Sequence, residues 1–347
     1  MNKLLPIFLF LSLFSCKKDD NATTPARDVY ICGQESKGGD NYVAKYWKNG
    51  VATILSTDDS TTSSFASDMT VVDNDVYVVG SKGYSQAKYW KNGIATYLSN
   101  DKNSSYGEAI TVVGNDVYVA GKAYNGTKYV AKYWKNGVAT NLTDGTKFAG
   151  ATAITVVGNN VYVVGYENND SGRSLSAVSF AKYWKNGIAT NLSDGTTHAF
   201  ATGITVVGND VYVAGYEDKG SVYVAKYWKN GVATNLTDGT KPAYARAITV
   251  VGNDVYVAGG EYVYKYNGSG YIVVAKYWKN GVATNLSDET QFADATAITV
   301  VDNDVYVVGT ENMGGTSVSK YWKNGVATNL ITRNGSVFSS ATGIVVK

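Results

Sequence analysis

The side chains that most often do chemistry are few in this sequence, and this limits the sites that it can build. It contains one histidine, His198, and two cysteines, Cys16 and Cys32. One imidazole and two thiols cannot supply a structural zinc site or an iron–sulfur cluster. A Ser-His-Asp site would have to use His198, and no repeated partner accompanies it. We therefore expect no metal and no cofactor, and we assign no catalytic residue.

Carboxylates, hydroxyls and aromatic rings recur at fixed places and could together bind a ligand. A glutamate stands two residues after a strand-ending glycine at Glu35, Glu167, Glu217, Glu261 and Glu311. Another recurring position, two residues before a repeated Ile or Met, holds Ser67, Glu108, Thr152, Thr202, Arg246, Thr296 and Thr342. We call this second set the collar. Tyr106, Phe200 and Tyr244 each precede a collar residue by two positions.

If the collar lines the mouth of a central channel, Glu108 and Arg246 are its only charges among hydroxyls. Carboxylates, hydroxyls and aromatic rings together suit a glycan or a cation. The alternative is a solvated rim without function. The candidate ligand-binding residues are Glu108, Arg246, Tyr106, Phe200, Tyr244, Glu167, Glu217 and Glu261.

The charge balance excludes one class of partner. The chain has 31 Lys and Arg against 29 Asp and Glu, a formal net charge of +2. A nucleic-acid binder that relies on bulk positive charge needs a large basic excess. We therefore expect no nucleic-acid partner.

Internal repeats predict the elements that position these residues. All seven tryptophans lie in a Lys-Tyr-Trp-Lys-Asn-Gly motif, at Trp47, Trp90, Trp134, Trp184, Trp228, Trp278 and Trp322. Their spacings of 43 to 50 residues, with 37 Gly and only 3 Pro in the chain, indicate four-stranded propeller blades. Each repeat reads as strands A to D, and Asn-Gly predicts a type I′ hairpin between C and D.

The order of the strands predicts how the ring closes. The first repeat begins at strand B near residue 28, and the chain ends with a lone strand A at 341–347. We therefore expect residues 28–347 to form an all-β, seven-bladed β-propeller with four antiparallel strands per blade. The C-terminal strand would complete the first blade and leave no unpaired inner edge.

The repeat resembles a known family. Residues 203–217 (GITVVGNDVYVAGYE) and the following Val-Ala-Lys-Tyr-Trp resemble the bacterial β-propeller repeat called SBBP. The repeat is less similar to kelch, whose strand B ends in a glycine pair, because only Gly259-Gly260 has both glycines. The resemblance implies a fold and brings no catalytic residues, since such folds host many functions.

The repeated Tyr-Trp pair has two interpretations. A large aromatic side chain in strand C can fill the gap between neighbouring blades. Alternatively, seven tryptophans could form a ring of sugar-stacking sites, as in a multivalent lectin. Lys45 and Trp47 lie on one side of their strand, which would allow a cation–π pair.

Variation between repeats predicts which face binds. The A–B and C–D turns are short and nearly constant, and they share what we call the short-turn face. The B–C and D–A connections share the opposite loop face and vary, with longer B–C loops at 166–178 and 260–271. Function on a rigid scaffold usually lies on such loops.

The first residues of the chain predict where the protein is located. Residues 1–15 have a positive start and an apolar run at 4–14, as in a signal peptide. Residues 13–16 (LFSC) resemble a bacterial lipobox, which implies lipidation of Cys16, and 17–20 (KKDD) resemble outer-membrane lipoproteins. Residues 16–27 would then be the lipidated cysteine and its tether. The alternative is an ordinary signal peptide that is cut nearby.

These patterns together predict a monomeric, non-catalytic binding lipoprotein of the bacterial outer membrane. It would recognise a glycan or a partner protein through the loop face. The alternatives are a sugar-active enzyme of mutarotase or lyase type at the channel mouth, the multivalent lectin, and a passive scaffold.

Overall fold

The computed structural model describes residues 27–36, 41–55, 62–83, 85–99, 103–169, 177–220, 222–264, 270–330 and 338–347. These residues form 28 strands and no helix, arranged as seven sheets of four antiparallel strands. The all-β, seven-bladed propeller is therefore confirmed. The described part of the chain contains no helix that is long and apolar enough to span a bilayer. The predicted signal peptide, Cys16 and residues 17–26 lie outside the described residues.

Each blade contributes its strands in the order A to D from the channel outwards. Strands A are β28 (Ser339–Val346), β4 (Ser64–Val72), β8 (Ser105–Val113), β12 (Ala149–Val157), β16 (Ala199–Val207), β20 (Ala243–Val251) and β24 (Ala293–Val301). Strands B are β1 (Val29–Ser36), β5 (Asp75–Lys82), β9 (Asp116–Tyr124), β13 (Asn160–Asn168), β17 (Asp210–Asp218), β21 (Asp254–Tyr264) and β25 (Asp304–Met313). Strands C are β2 (Tyr42–Lys48), β6 (Gln86–Lys91), β10 (Tyr129–Lys135), β14 (Ser179–Lys185), β18 (Tyr223–Lys229), β22 (Tyr271–Lys279) and β26 (Thr316–Lys323). Strands D are β3 (Val51–Ile54), β7 (Ile94–Tyr97), β11 (Val138–Asn141), β15 (Ile188–Asn191), β19 (Val232–Asn235), β23 (Val282–Asn285) and β27 (Val326–Asn329).

The first blade joins the first and the last strand of the propeller, as predicted. Its strand order is β28-β1-β2-β3, and β28 pairs antiparallel with β1 from Val29↔Val346 onwards. Asp28 and Lys347 exchange backbone hydrogen bonds of 2.8 and 2.9 Å. The last strand therefore supplies the inner edge that β1 would otherwise lack.

Every strand A continues on both sides of its collar residue, where a bulge interrupts the register. In the fifth blade the register shifts between Ala201 and Gly203, which leaves Thr202 as the extra residue. A bulge breaks the alternation of buried and exposed residues that sequence patterns depend on. Opposite the bulge, a Cβ added to Gly215 of strand B would lie 2.0 Å from the carbonyl oxygen of Phe200. The strand-B glycine is therefore required by close backbone approach.

The tryptophan side chains fill the gaps between blades. All seven are 0–2 % exposed, and Trp228 packs with Tyr162, Leu192 and other residues of the preceding blade. The neighbouring Tyr227 packs on the next blade beside Trp278. The packing interpretation is confirmed. The multivalent lectin based on these tryptophans is wrong, because buried rings cannot stack on a sugar.

The short-turn face repeats one hydrogen-bonded unit. The Asn of each C–D hairpin has φ of 50–51°, and the following Gly has φ of 81–85°, as the predicted type I′ turn requires. In the fifth blade, Asn230 Oδ1 accepts from the Val211 N–H, and Lys229 Nζ lies 2.8 Å from Asp210. The same lysine lies over the Tyr212 ring at 5.1 Å. This explains the constant Lys-Asn-Gly sequence and the recurrent Asn-Asp-Val-Tyr sequence.

Candidate functional site

The collar lines a cavity in the central channel. The cavity has a volume of about 260 Å³, and all seven collar residues contribute to its wall: Ser67, Glu108, Thr152, Thr202, Arg246, Thr296 and Thr342. One residue from each blade therefore faces the axis at the same level. The bulges place them there, because each adds one residue to strand A at this point.

The collar threonines link neighbouring blades. The Thr202 hydroxyl donates to the Ala245 carbonyl oxygen of the next blade at 2.9 Å, and the Thr152 hydroxyl donates to that of Ala201 at 2.8 Å. Thr296 and Thr342 form the equivalent bonds. These hydroxyl protons are already used, so the collar is first of all a structural ring.

Glu108 and Arg246 are the charged residues of the collar, but a third charged residue lies beside them in the cavity wall. Asp68, next to the collar residue Ser67, also lines the cavity. Its Oδ2 accepts a hydrogen bond of 3.0 Å from the Ile110 N–H of the next blade. Burial raises the pKa of Asp68 to about 6. The sequence contained a signal for Asp68, because the other blades have Ala or Gly at this repeat position.

The two charged collar residues each have a partner of opposite charge. Glu108 lies 3.4 Å from Lys122 of its own blade. Arg246 lies 2.9 Å from Asp294 of the next blade, and its guanidinium lies 4.6 Å above the Tyr244 ring. Because each charge is already paired, these groups can orient a polar ligand but do not form an acid–base pair with each other.

Phe200 and Tyr244 belong to a continuous row of aromatic rings on the loop face. The centroid of the Phe200 ring lies 5.4 Å from Tyr166 and 5.3 Å from Tyr216, and the Tyr216 and Tyr244 rings lie 6.4 Å apart. The row continues along the sixth blade. We call the row the aromatic arc, and its members are Tyr166, Phe200, Tyr216, Tyr244, Tyr262, Tyr264 and Tyr271.

Glycines opposite the rings make room for the arc. Gly150 pairs with Tyr166 across strands A and B, and a Cβ at Gly150 would lie 3.0 Å from that ring. Gly260 pairs with Tyr244, and a Cβ there would lie 3.0 Å from its hydroxyl. Burial raises the pKa of Tyr244 well above its ordinary value, with the Asp294 carboxylate as the second cause. The phenol therefore stays protonated at neutral pH, and its hydroxyl donates to Asp294 Oδ1 at 3.1 Å.

The outer end of the arc borders a second cavity. The hairpin of β21 and β22 places Tyr262, Tyr264 and Tyr271 around a cavity of about 350 Å³. Thr240 and Lys241 of the preceding blade complete its wall. Tyr264 and Tyr271 are 67 % and 51 % exposed. Exposed rings beside hydroxyl and ammonium groups can hold a polar molecule that has apolar faces.

Tyr106 lies on the other side of the Glu108–Lys122 pair. Lys122 Nζ is 5.1 Å above the Tyr106 ring, which contacts Tyr129 at 5.8 Å. Burial, and then the Tyr129 hydroxyl, raises the pKa of Tyr106 to about 12. Tyr106 therefore extends the polar and aromatic rim into the third blade.

The five repeated glutamates do not line the channel. Glu167, Glu217 and Glu261 form ion pairs with Lys182, Lys226 and Lys276, respectively, in strand C of the same blade. Glu35 and Glu311 pair with Lys45 and Lys320. The carboxylates are therefore separated from Glu108 and Arg246. In the second blade, which lacks this glutamate, Lys88 lies over Trp90 at 4.7 Å, as the proposed cation–π pair requires.

The two remaining reactive groups have structural surroundings. His198 Nδ1 accepts a hydrogen bond of 3.3 Å from the Ser179 N–H, and its ring is parallel to Phe200. Cys32 is fully buried, and burial raises its pKa to about 12. The described residues contain no group of three or more His, Cys, Asp or Glu that could hold a metal ion.

Sequence reasoning missed Asp294, Lys122, Tyr166 and Tyr216. Asp294 occupies the same repeat position as Phe200 and Tyr244, and an alignment of the repeats locates it. Tyr166 and Tyr216 directly follow the strand-B glycine, as Lys122 does. Their proximity to the collar depends on the cross-strand register at the bulge, which the repeats do not reveal.

Comparisons with known proteins support the fold alone. No family model matches the chain, and a search of curated proteins finds no relative. The propeller domain of the Trilobed protease from Pyrococcus furiosus, described as having an open velcro topology, has a TM-score of 0.53 at 8 % identity, covering 88 % of this chain and 92 % of that one.

Two other solved structures are similar to the chain. An ulvan lyase of a new polysaccharide lyase family has a TM-score of 0.50 at 8 % identity, covering 80 % of this chain and 82 % of that one. TolB from Acinetobacter baumannii has a TM-score of 0.45 at 10 % identity, covering 91 % and 82 %. The similarity to the propeller domain of the protease supports the β-propeller architecture of the chain.

Proposed function

We propose that this protein is a membrane-anchored, non-catalytic receptor that binds a glycan along the aromatic arc of its loop face. The observation that carries the proposal is the arc itself, which runs unbroken from Tyr166 in the fourth blade to Tyr271 at the second cavity. The rest of the binding surface is the Arg246–Asp294 pair beside it.

The chemistry of the arc favours a glycan over a protein partner. Sugar rings have apolar C–H faces and polar edges, and they need aromatic rings with polar groups close by. Tyr244 offers this combination, because its ring lies under the Arg246 guanidinium and its hydroxyl reaches Asp294. The arc continues over three blades, which fits several sugar units in sequence rather than one.

The alternative of a sugar-active enzyme lacks a matching site among the described residues. Glu108 and Arg246 each have a partner of opposite charge, and His198 accepts a backbone hydrogen bond. Asp68, the other acid at the cavity, accepts a hydrogen bond from the Ile110 N–H. General acid–base catalysis needs a free acid or base positioned at the bond that reacts. Binding without turnover is therefore the better supported role.

Replacing rings of the arc should abolish glycan binding. We expect Phe200→Ala and Tyr244→Ala each to weaken binding at least tenfold, because a central aromatic contact commonly contributes more than about 1.4 kcal/mol. A glycan array identifies the ligand, and titration calorimetry with that ligand measures the loss.

Phe65→Ala is the matched control. Phe65 occupies the same strand-A position in the second blade, but it contacts Tyr42 and lies outside the arc. The Phe65→Ala variant should bind the glycan with the same affinity as the parent protein. Equal losses in Phe65→Ala and Phe200→Ala would contradict the arc as the site. Shortening of the glycan during incubation, seen by chromatography, would instead favour the enzyme.

The anchoring part of the proposal rests on the lipobox-like residues 13–16 and the resemblance of 17–20 to outer-membrane lipoproteins. We infer that Cys16 is lipidated and that the protein resides at the bacterial outer membrane. The propeller repeat, as at residues 203–217, supports a place for the chain among SBBP-like propellers.

Cys16→Ser should release the protein from the membrane fraction, because a lipidated residue supplies most of the affinity for the bilayer. Cell fractionation followed by a salt wash measures the release. A Cys16→Ser variant that still sediments with membranes after the wash would refute lipidation as the anchor.

A further inference from the structure

The short-turn face carries a ring of exposed apolar side chains. The first residue of every strand D is Val or Ile and is 70–75 % exposed. We call these seven residues the girdle: Val51, Ile94, Val138, Ile188, Val232, Val282 and Val326. Nearer the channel, the last residue of strand A is a valine that is 38–43 % exposed in four blades, at Val113, Val157, Val207 and Val251.

The girdle repeats one exposed apolar position in every blade. Single exposed valines are ordinary on a protein surface, so the girdle gains its meaning from its repetition round the ring and from the path of the chain. The girdle is regular because it follows the closed ring of blades, so its members lie on one face and at one level. The face therefore presents apolar groups to a partner that is broad and flat.

The chain itself indicates which partner lies there. Strand β1 begins at the short-turn face, where Asp28 binds Lys48 and Asn49 of the C–D hairpin. Arg27, the first described residue, pairs with Asp302 in the A–B turn of the seventh blade. The chain therefore leaves the propeller on the face that carries the girdle.

The distance to a lipid anchor is short. Cys16 precedes Arg27 by eleven residues, which span at most about 40 Å when fully extended. Strands of eight or nine residues separate the two faces by a further 30 Å, roughly. An anchor at Cys16 therefore lies nearest to the short-turn face, and a membrane under the loop face would need most of the extended tether to run along the side of the propeller.

The charges of the short-turn face are largely paired, so the apolar side chains would supply the contact with a bilayer. Each girdle residue pairs across the C–D hairpin with the last residue of strand C, which is a lysine. In six blades an aspartate of strand B forms an ion pair with this lysine: Lys48, Lys91, Lys135, Lys229, Lys279 and Lys323. In the fourth blade Asn160 takes the place of the aspartate, and Lys185 lies over the Tyr162 ring. Apolar side chains beside lysines match the boundary between acyl chains and headgroups.

We propose that the girdle docks on the membrane to which the chain is anchored, so that the propeller lies flat and presents the aromatic arc to the solvent. This proposal rests on the lipid anchor proposed above. A high local concentration from the anchor lets weak contacts suffice. A face-to-face pair of copies fits less well, because both tethers would leave between the two propellers.

The test measures which face contacts lipid in the full-length, lipidated protein. A polarity-sensitive fluorophore is attached to Val232→Cys, and the protein is reconstituted in vesicles of phosphatidylethanolamine and phosphatidylglycerol. Cys32 does not react, because it is fully buried. Met313→Cys on the loop face, where Met313 is 47 % exposed, is the matched control.

Nitroxide-labelled lipids should quench the probe at Val232→Cys several-fold more than the probe at Met313→Cys. Adding Ile94→Asp, Val138→Asp and Val282→Asp should remove that difference, while the protein still floats with the vesicles. Thermal melts check that this variant stays folded, as surface substitutions usually allow.

Each other result overturns the docking. Protein that floats with an unquenched Val232→Cys probe, or with quenching that survives the three aspartates, refutes the girdle but keeps the anchor. Protein that does not float refutes the anchor and the docking with it. Protection of the probe that needs no vesicles and grows with protein concentration would assign the face to a second copy.

Discussion

Deletion of residues 338–347 should prevent the propeller from closing. The deletion removes β28, and with it the inner partner of β1 from Val29 to Glu35. It also removes Ala341 and Ile344 from the cluster that surrounds Trp47 between the seventh and first blades. An exposed inner edge and an opened core invite aggregation. We expect the truncated protein to lose its cooperative melting transition and to aggregate on size-exclusion chromatography.

Two controls make the result specific to ring closure. Deletion of residues 17–26, which is equal in length and precedes the first strand, should leave the melting temperature unchanged. A synthetic peptide of residues 338–347 should partly restore the transition, since an added strand can pair with an open edge. Equal melting temperatures for the two deletions would contradict a ring that depends on β28.

The fold could be predicted from the sequence because its repeats state the same pattern seven times. The Asn-Gly hairpins, the Trp wedge and the lone final strand A each have a local signature, and the structure has all three. Pattern and geometry agree at these places because each feature depends on neighbours within one or two strands. The bulge at each collar residue has no such signature, because it breaks the period of two within strand A.

The candidate site was predicted only in part, because it depends on contacts between blades. Collar residues such as Glu108 and Arg246 line the channel as expected, since the ring symmetry places equivalent positions together. The repeated glutamates were assigned to the same site, but their partners are the strand-C lysines of their own blades. Adjacent side chains along strand B, such as Tyr216 and Glu217, point to opposite faces of the sheet, so they have different environments.

The arc shows what repeat analysis loses. Its rings come from strands A, B and C of different blades, and no single repeat position contains them all. Gly150 and Gly260 depart from the repeat because they have no side chain, and each leaves space that an aromatic ring on the paired strand occupies. A departure from the repeat is therefore most informative when it is compared with the residue that pairs with it on the adjacent strand.

Trp184→Ala should lower the free energy of unfolding by about 3–5 kcal/mol. Trp184 is 1 % exposed and packs against Tyr118, Ala120 and Leu142 of the preceding blade. Removing the indole leaves a void at the widening gap between two blades, and rigid sheets cannot collapse to fill it. Chemical denaturation followed by circular dichroism measures the loss. Ile188→Ala, at a side chain that is 75 % exposed on the adjoining hairpin, should stay within about 0.5 kcal/mol of the parent.

Trp184→Phe separates the volume of the ring from its hydrogen bonding. The Trp184 indole N–H is buried without a hydrogen-bond partner, so the residue gives up a donor in order to place a large ring between the blades. Phenylalanine keeps most of that ring and removes the unsatisfied donor. We therefore expect Trp184→Phe to lose far less stability than Trp184→Ala. If the two variants lose equal stability, the indole acts through a specific interaction rather than as a wedge, and if neither loses any, the gap between the blades does not need to be filled.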